Sequence, residues 1–342
     1  MTGDRVDISR VAAQCAWLLL SLPDALAYRR ALRAEVAETQ ATILRGILRR
    51  NAETEFGRQH RFEKVRSIRD FQTSVPLTTY ADYTEAIERI GCGQAGVLSS
   101  APVTVLEPTS GSTSATKYVP YTRRLERQFQ QALAPWIVEL YSRHPHLVDG
   151  QAYWSISPVG GEHQRTSAGI PIGFADDSAY LGGARGALVR SMLAVPPAIR
   201  LIPDVAAFRY ATLLFLLRSR RLALVSVWSP SFLQLLCRPL PDWWPRLADD
   251  IQDGRLTPPV PIPPAVLRQL SAWLTPDPAR AAEIRAIFAR HADQPAAYHR
   301  ALWPKLRLIS CWADGSAAEH ARDLARLFPG AHLQPKGLVA TE

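Results

Sequence analysis

The chain has 342 residues, 47% of them hydrophobic and 21% charged, which excludes wholesale disorder and a fibrous architecture and leaves room for one large α/β domain or two ordinary ones. The formal charge of +9 is carried almost wholly by arginines interleaved with acids, as in Arg33/Glu35/Glu38 and Arg123/Arg124/Glu126, so no basic block points to nucleic acid. No apolar run reaches the roughly 18 residues of a membrane span: Val11 to Leu22 is interrupted by Gln14 and Ser21 and lacks a basic leader, so a cytoplasmic protein with no membrane partner is expected.

In chain order, Leu32, Val36, Ile43 and Ile47, with Leu44 and Leu48 beside them, recur at helical spacing. Arg33, Glu35, Glu38, Arg45 and Arg49 take the outward face, which predicts a helix with that apolar stripe inward. Turn formers over 51–57 end it. Short helices follow over 68–74 and over 80–90, the second capped by Thr79. Residues 1–95 therefore read as a mainly helical lead-in, and 103–106 as a strand. A helix over 123–144 is kinked or interrupted at Pro135.

The second half alternates. Strands are expected over 152–157, 222–228, 306–312 and 331–334, and helices over 205–218, from Ser229-Pro230, from Asp277-Pro278 and over 316–328. Ile284, Ile287 and Phe288 form the inner stripe of the helix after Pro278, and the Pro-rich stretch 257–264 is a rigid connector. Strands separated by helices predict a single α/β domain over 1–342, with 96–342 as its body around a parallel or mixed sheet. Cys15, Cys92, Cys237 and Cys311 have no metal-ligand spacing and are expected to be buried small apolar residues. His144 and His146 flank Pro145 in what reads as a solvated turn.

Two segments carry chemistry. Thr109-Ser110-Gly111-Ser112-Thr113-Ser114-Ala115-Thr116-Lys117 is rich in hydroxyls and closes on one of only four lysines. Such a loop can wrap phosphate oxygens with hydroxyls and backbone N–H groups, or it can be an ordinary surface turn. Its glycine spacing is not that of a Walker loop, and Tyr118-Val119-Pro120 after it favours extended backbone. At the other end, Gly337-Leu338-Val339-Ala340-Thr341-Glu342 sets a hydroxyl and a carboxylate just after a short strand, where a carboxylate can ligate Mg²⁺.

Taken together, the nine-residue loop resembles the phosphate loop of the adenylate-forming superfamily, and Thr341-Glu342 resembles its later Thr-Glu motif. Asn51-Ala52-Glu53-Thr54-Glu55-Phe56-Gly57-Arg58, Val75-Pro76-Leu77-Thr78-Thr79-Tyr80, Arg89-Ile90, Ser226-Val227-Trp228-Ser229-Pro230-Ser231-Phe232-Leu233 and Trp303-Pro304-Lys305-Leu306 narrow this. They are similar to the auxin-responsive (Gretchen Hagen) family of acyl-acid–amido synthetases. The resemblance implies an α/β adenylate-forming-type N-terminal domain with a mixed β-sheet flanked by helices and a helical N-terminal segment, the C-terminal domain being absent. It also implies ATP and Mg²⁺ as cofactors, a small carboxylic acid and an amino acid as partners, and ATP-dependent acid–amino acid ligation.

Carried over by position, Ser110, Gly111, Ser112, Thr113 and Lys117 would cradle the β- and γ-phosphates. Asp314, Gly315 and Ser316 would border the adenine, Thr341 would touch the α-phosphate or the acid, and Glu342 would hold Mg²⁺. Three departures stand out: Ser114 replaces the family's loop glycine, Leu338 replaces a tyrosine able to stack on adenine, and nothing follows Glu342. A truncated chain, not expected to turn over alone, is therefore anticipated. An acyl-CoA or acyl-protein ligase and a non-catalytic nucleotide-binding fragment are the alternatives. Trp154, Phe174, Tyr180 and Trp228 are candidates for an acyl pocket, or else ordinary core packing, and Arg185 and Arg190 pair a carboxylate or sit in water.

Overall fold

Helix α1 (Ile8–Ala31) turns inward the very residues that interrupt its apolar run. Gln14 donates to the Gly150 carbonyl at 2.8 Å and accepts from the Tyr141 hydroxyl at 2.6 Å. The buried Asp24 carboxylate accepts from Arg127 (2.9 Å) and Arg185 (3.4 Å). An 18-residue window of α1 reaches a mean hydropathy of 1.3, so by length and composition alone this helix could span a membrane. The computed structural model describes residues 8–109, 117–155, 165–174 and 182–336.

Helix α2 (Val36–Asn51) corrects one expectation. Leu32 lies between α1 and α2, and Leu32, Val36, Ile43 and Ile47 are all exposed, whereas Leu48 is the buried contact to Phe62 and Val65. Leu44 and Leu48 form the inward part of the expected stripe, and the other four turn outward because this helix meets only the small cluster around Phe62 and Val65. Next come α3 (Glu55–Gln59), α4 (Ile68–Ser74) and α5 (Thr84–Gly91). Thr54 caps α3 through the Gly57 N–H (2.9 Å), and a Cβ at Gly57 would overlap the Asn51 carbonyl, so only glycine permits that packing.

Strands β1 (Val103–Pro108) and β2 (Tyr118–Thr122) form an antiparallel pair. Thr122 caps α6 (Arg123–Arg143), which continues through Pro135 instead of breaking there. The body follows as β3 (Gln151–Trp154), α7 (Gly183–Met192), α8 (Val205–Arg218), β4 (Leu222–Ser226), α9 (Pro230–Cys237) and α10 (Leu240–Asp253). It ends with α11 (Pro264–Ser271), α12 (Pro278–His291), α13 (Pro295–Leu302), β5 (Leu308–Cys311), α14 (Ala318–Leu327) and β6 (His332–Pro335). Strands β3, β4, β5 and β6 lie side by side in that order, all parallel. The α/β architecture is as expected. Its mixed character comes from two separate sheets among the described residues, one antiparallel and one parallel.

The main core lies on one face of the parallel sheet. Helix α8 is buried on nearly every side, and Ile284, Ile287 and Phe288 point into the same core as the periodicity predicts. Arg280, fully buried on α12, donates to the Leu217 and Leu302 carbonyls at 2.7 and 2.6 Å and so closes the C-terminal ends of α8 and α13. The other face packs Leu224 and Leu308 against Trp17 of α1 and Ile137 and Leu140 of α6. Cys237 and Cys311 are buried as expected, but Cys15 is exposed on α1 and Cys92 is exposed at the residue that ends α5. His146 is exposed and His144 partly so, on the turn that follows α6.

Candidate functional site

In an open parallel sheet, ligands sit outside the carboxyl ends of the strands. Here that edge is chemically different from the rest of the sheet. The rung Leu224–Leu308–His332 is apolar but for its exposed edge histidine, Val225–Ile309–Leu333 is apolar throughout, and the next rung is Ser226–Ser310–Gln334. The Ser310 hydroxyl is fully buried and has no hydrogen-bond partner among the described residues. Gln334 is held by the Trp136 indole N–H of α6 at 3.1 Å.

Just beyond this rung the ladder continues through irregular backbone. Val227 donates to the Ser310 carbonyl (3.0 Å), Trp312 to the Trp228 carbonyl (2.9 Å) and Lys336 to the Cys311 carbonyl (2.8 Å). The Val227 side chain is buried in the main core, while Trp312 stays partly open at the edge. The Lys336 ammonium donates to Ser226 Oγ at 2.9 Å and lies 4.6 Å from the centre of the Trp228 ring, a cation–π contact. The Trp228 and Trp312 rings are 5.8 Å apart, and both remain more than a third exposed. The edge therefore offers a positive charge, two half-open indoles and buried hydroxyls, a surface suited to an anionic ligand with a flat apolar part. Burial pushes the Cys311 thiol up to about 11 against the pull of Lys336, so it stays protonated and is no nucleophile.

Asp314, Gly315 and Ser316 stand at this same edge, exposed, on the turn from Trp312 to α14. Gly315 has φ +57° with open space around it, the left-handed backbone a turn from strand to helix needs there. Lys117 marks the neck of the hydroxyl-rich loop. Its carbonyl accepts from the Thr109 N–H at 2.8 Å, and its ammonium lies 5.7 Å over the Tyr80 ring. The loop thus joins two strands and no helix follows it directly, as its sequence suggests. Thr109 Oγ1, at the start of the loop, is buried without a hydrogen-bond partner among the described residues. Ser110, Gly111, Ser112, Thr113, Thr341 and Glu342 lie outside the described residues, as does Tyr180.

The remaining aromatic candidates separate. Trp228 faces the edge, whereas Trp154 packs on Trp17 and Phe174 on Tyr121. Arg185 is structural, bound to Gln130 (2.7 Å) and Asp24. The sequence reading missed Ser226, Ser310, Gln334 and Lys336 because strand register, not local spacing, brings them together. Among the described residues no three His, Cys, Asp or Glu side chains form a metal-binding group.

The GH3 family N-terminal domain matches residues 28–333. Jasmonoyl-L-amino acid synthetase GH3.3 of Oryza sativa subsp. japonica is 27% identical over 315 residues, covering 90% of this chain and 67% of that protein. Indole-3-acetic acid-amido synthetase GH3.15 of Arabidopsis thaliana is 27% identical over 299 residues, 84% of this chain and 49% of its own length. The solved structure of AtGH3.15 acyl acid amido synthetase in complex with 2,4-DB shares the fold with a TM-score of 0.77 at 24% identity, covering 93% of this chain and 55% of that one. The chain spans about half to two thirds of the length of these relatives. It belongs to the GH3 family, whose N-terminal domain accounts for most of its residues.

Proposed function

We propose that this chain is the acid-activating body of an ATP-dependent acid–amino acid ligase. The observation that carries the proposal is the polar rung Ser226–Ser310–Gln334, topped by Lys336 and bordered by Asp314–Ser316 at the carboxyl edge of a parallel sheet. In the first step a carboxylate oxygen of the acid attacks the α-phosphorus of ATP, and the bond to pyrophosphate breaks. In the second an amine attacks the acyl carbon, AMP leaves with the bonding electrons, and the amine loses a proton. Neither step needs a covalent enzyme intermediate. Both need in-line placement and neutralised charge.

On this proposal Ser110, Gly111, Ser112, Thr113 and Lys117 hold the β- and γ-phosphates, Asp314–Ser316 border the base, and Lys336 faces an anionic oxygen near the reacting centre. Thr341 and Glu342 complete the site, Glu342 as the ligand to Mg²⁺. The orphaned Thr109 and Ser310 hydroxyls support a polar ligand at these two places. Relatives named as amido synthetases favour an amine acceptor over a thiol.

The test is a thermal-shift titration of the 342-residue chain with ATP and Mg²⁺, run beside acid-dependent pyrophosphate release and amide formation. A saturable rise in Tm that persists in 0.3 M salt, with little amide, is expected. Absence of any shift would end the nucleotide reading, and robust amide synthesis would show that both half-reactions run on these residues.

A further inference from the structure

A cavity of about 280 Å³ opens at the other end of the parallel sheet, where β3 begins at Gln151 and the chain approaches β4 through Ser219. Three arginines from three helices line it: Arg10 of α1, Arg190 of α7 and Arg218 at the end of α8. Among the described residues that line it, none is acidic. Arg218 is fixed from outside the cavity, donating to the Thr275 carbonyl at 2.7 Å and to its hydroxyl at 3.1 Å. Arg10 and Arg190 have interactions of their own as well. Ser219 donates to Gln151 Oε1 at 2.6 Å, which leaves the Gln151 amide N–H₂ as the end available to a ligand.

The rest of the wall is apolar. Phe215 is buried at the base, Pro196 and Pro197 form one side, and the Trp273 indole is 62% exposed at the rim. Guanidinium forks match carboxylate and phosphate oxygens in pairs and also stack on flat rings. A concave wall of low dielectric strengthens such a field. The volume falls just below the range of about 300–1,000 Å³ for drug-sized ligands, too little for a nucleoside triphosphate.

We propose that this cavity binds a small organic anion, a carboxylate or phosphate monoester attached to one flat apolar group. The proposal does not depend on the function assigned to the opposite edge. Arg190 is the exposed member of the trio, and its removal leaves the core untouched.

Isothermal titration of the 342-residue chain with phenyl phosphate, benzoate and benzyl alcohol tests the idea. At least one of the two anions should bind saturably and the neutral alcohol should not; which anion binds tells phosphate from carboxylate. Arg190→Ala should weaken that anion about tenfold, the scale of one charge-assisted contact, and Trp273→Ala should weaken it measurably. Lys117→Ala should leave it unchanged, which separates this cavity from the candidate phosphate loop. Binding that Lys117→Ala abolishes and Arg190→Ala spares would overturn the proposal. So would equal affinity for benzyl alcohol, no heat with either anion, or loss of all binding in 0.3 M salt as expected of loose attraction to a +9 chain.

Discussion

Lys336 and Trp228 meet at the carboxyl edge of the parallel sheet, the ammonium 4.6 Å from the indole centre and donating to Ser226 at 2.9 Å. The contact fixes a long, flexible side chain over an opening where it would otherwise wander. A preorganised cation costs less to recruit when an anion arrives. Lys336→Ala should therefore remove most of the ATP-induced rise in Tm, and Lys336→Arg should restore part of it. The loss of the aromatic contact itself costs only about 0.5–1 kcal/mol of folding stability, measurable by urea titration. An undiminished ATP shift in Lys336→Ala would place the nucleotide elsewhere.

Lys117 offers a parallel measurement at the neck of the hydroxyl-rich loop. Its backbone carbonyl pairs with Thr109, so substitution of the side chain leaves the strand pairing intact. Lys117→Ala should lower the ATP shift strongly while changing unliganded stability by less than about 1 kcal/mol, the worth of its half-exposed contact with Tyr80. A comparable loss of both quantities would mark Lys117 as a structural residue.

These two lysines also show what the sequence can and cannot reveal. Lys117 is legible because the loop, its hydroxyls and the flanking extended segments are contiguous. Helix α8 and the α12 stripe are legible for a similar reason: burial writes itself into local composition. Asp277 even supplies its cap to the Arg280 N–H at 2.8 Å, three residues on. Lys336 is different. Its partner Ser226 is 110 residues away, and the rung that joins Ser226, Ser310 and Gln334 is fixed by the register of parallel strands that no local pattern records. Helix α1 fails in the opposite sense. Gln14 reads as a break in an apolar run, yet it is among the most deeply buried residues there, because its partners Gly150 and Tyr141 lie 136 and 127 positions off.

Arg280 should be the most sensitive charged position in the core. It is fully buried, its Nε and Nη2 close carbonyls at the ends of two helices, and Nη1 lies 2.8 Å from Glu283. Arg280→Ala leaves two carbonyls unsatisfied and a cavity, and takes from Glu283 one of its two arginine partners, Arg220 remaining at 2.9 Å. The expected loss is about 3–5 kcal/mol in urea unfolding. Arg280→Lys should recover little, because one ammonium cannot span both carbonyls as a planar fork does.

His299 makes the protein's stability depend on mildly acidic pH. The ring is buried, stacked on Phe328 at 4.5 Å and near Trp303 at 5.8 Å, and Nδ1–H donates to the Leu327 carbonyl at 3.2 Å. Nε2 is buried and has no hydrogen-bond partner among the described residues. A second proton would have to be placed there, in apolar surroundings, and burial accordingly drives the imidazole pKa down to about 4, with the Leu327 bond opposing only in part. The unfolded chain titrates near 6.5, so between these values it binds more protons than the folded one. The contribution of His299 is thus fully present above about pH 6.5 and is lost progressively as the pH falls towards 4, by about 3 kcal/mol in all. Below pH 4 this residue adds no further slope. Urea midpoints measured from pH 7.5 to 4 should fall steadily, and His299→Gln, which keeps an N–H for the Leu327 carbonyl but cannot become a cation, should flatten that slope while lowering stability at pH 7.5. If the variant follows the same pH profile as the parent, the acid sensitivity comes from other groups and the neutral, buried state of His299 is not its cause.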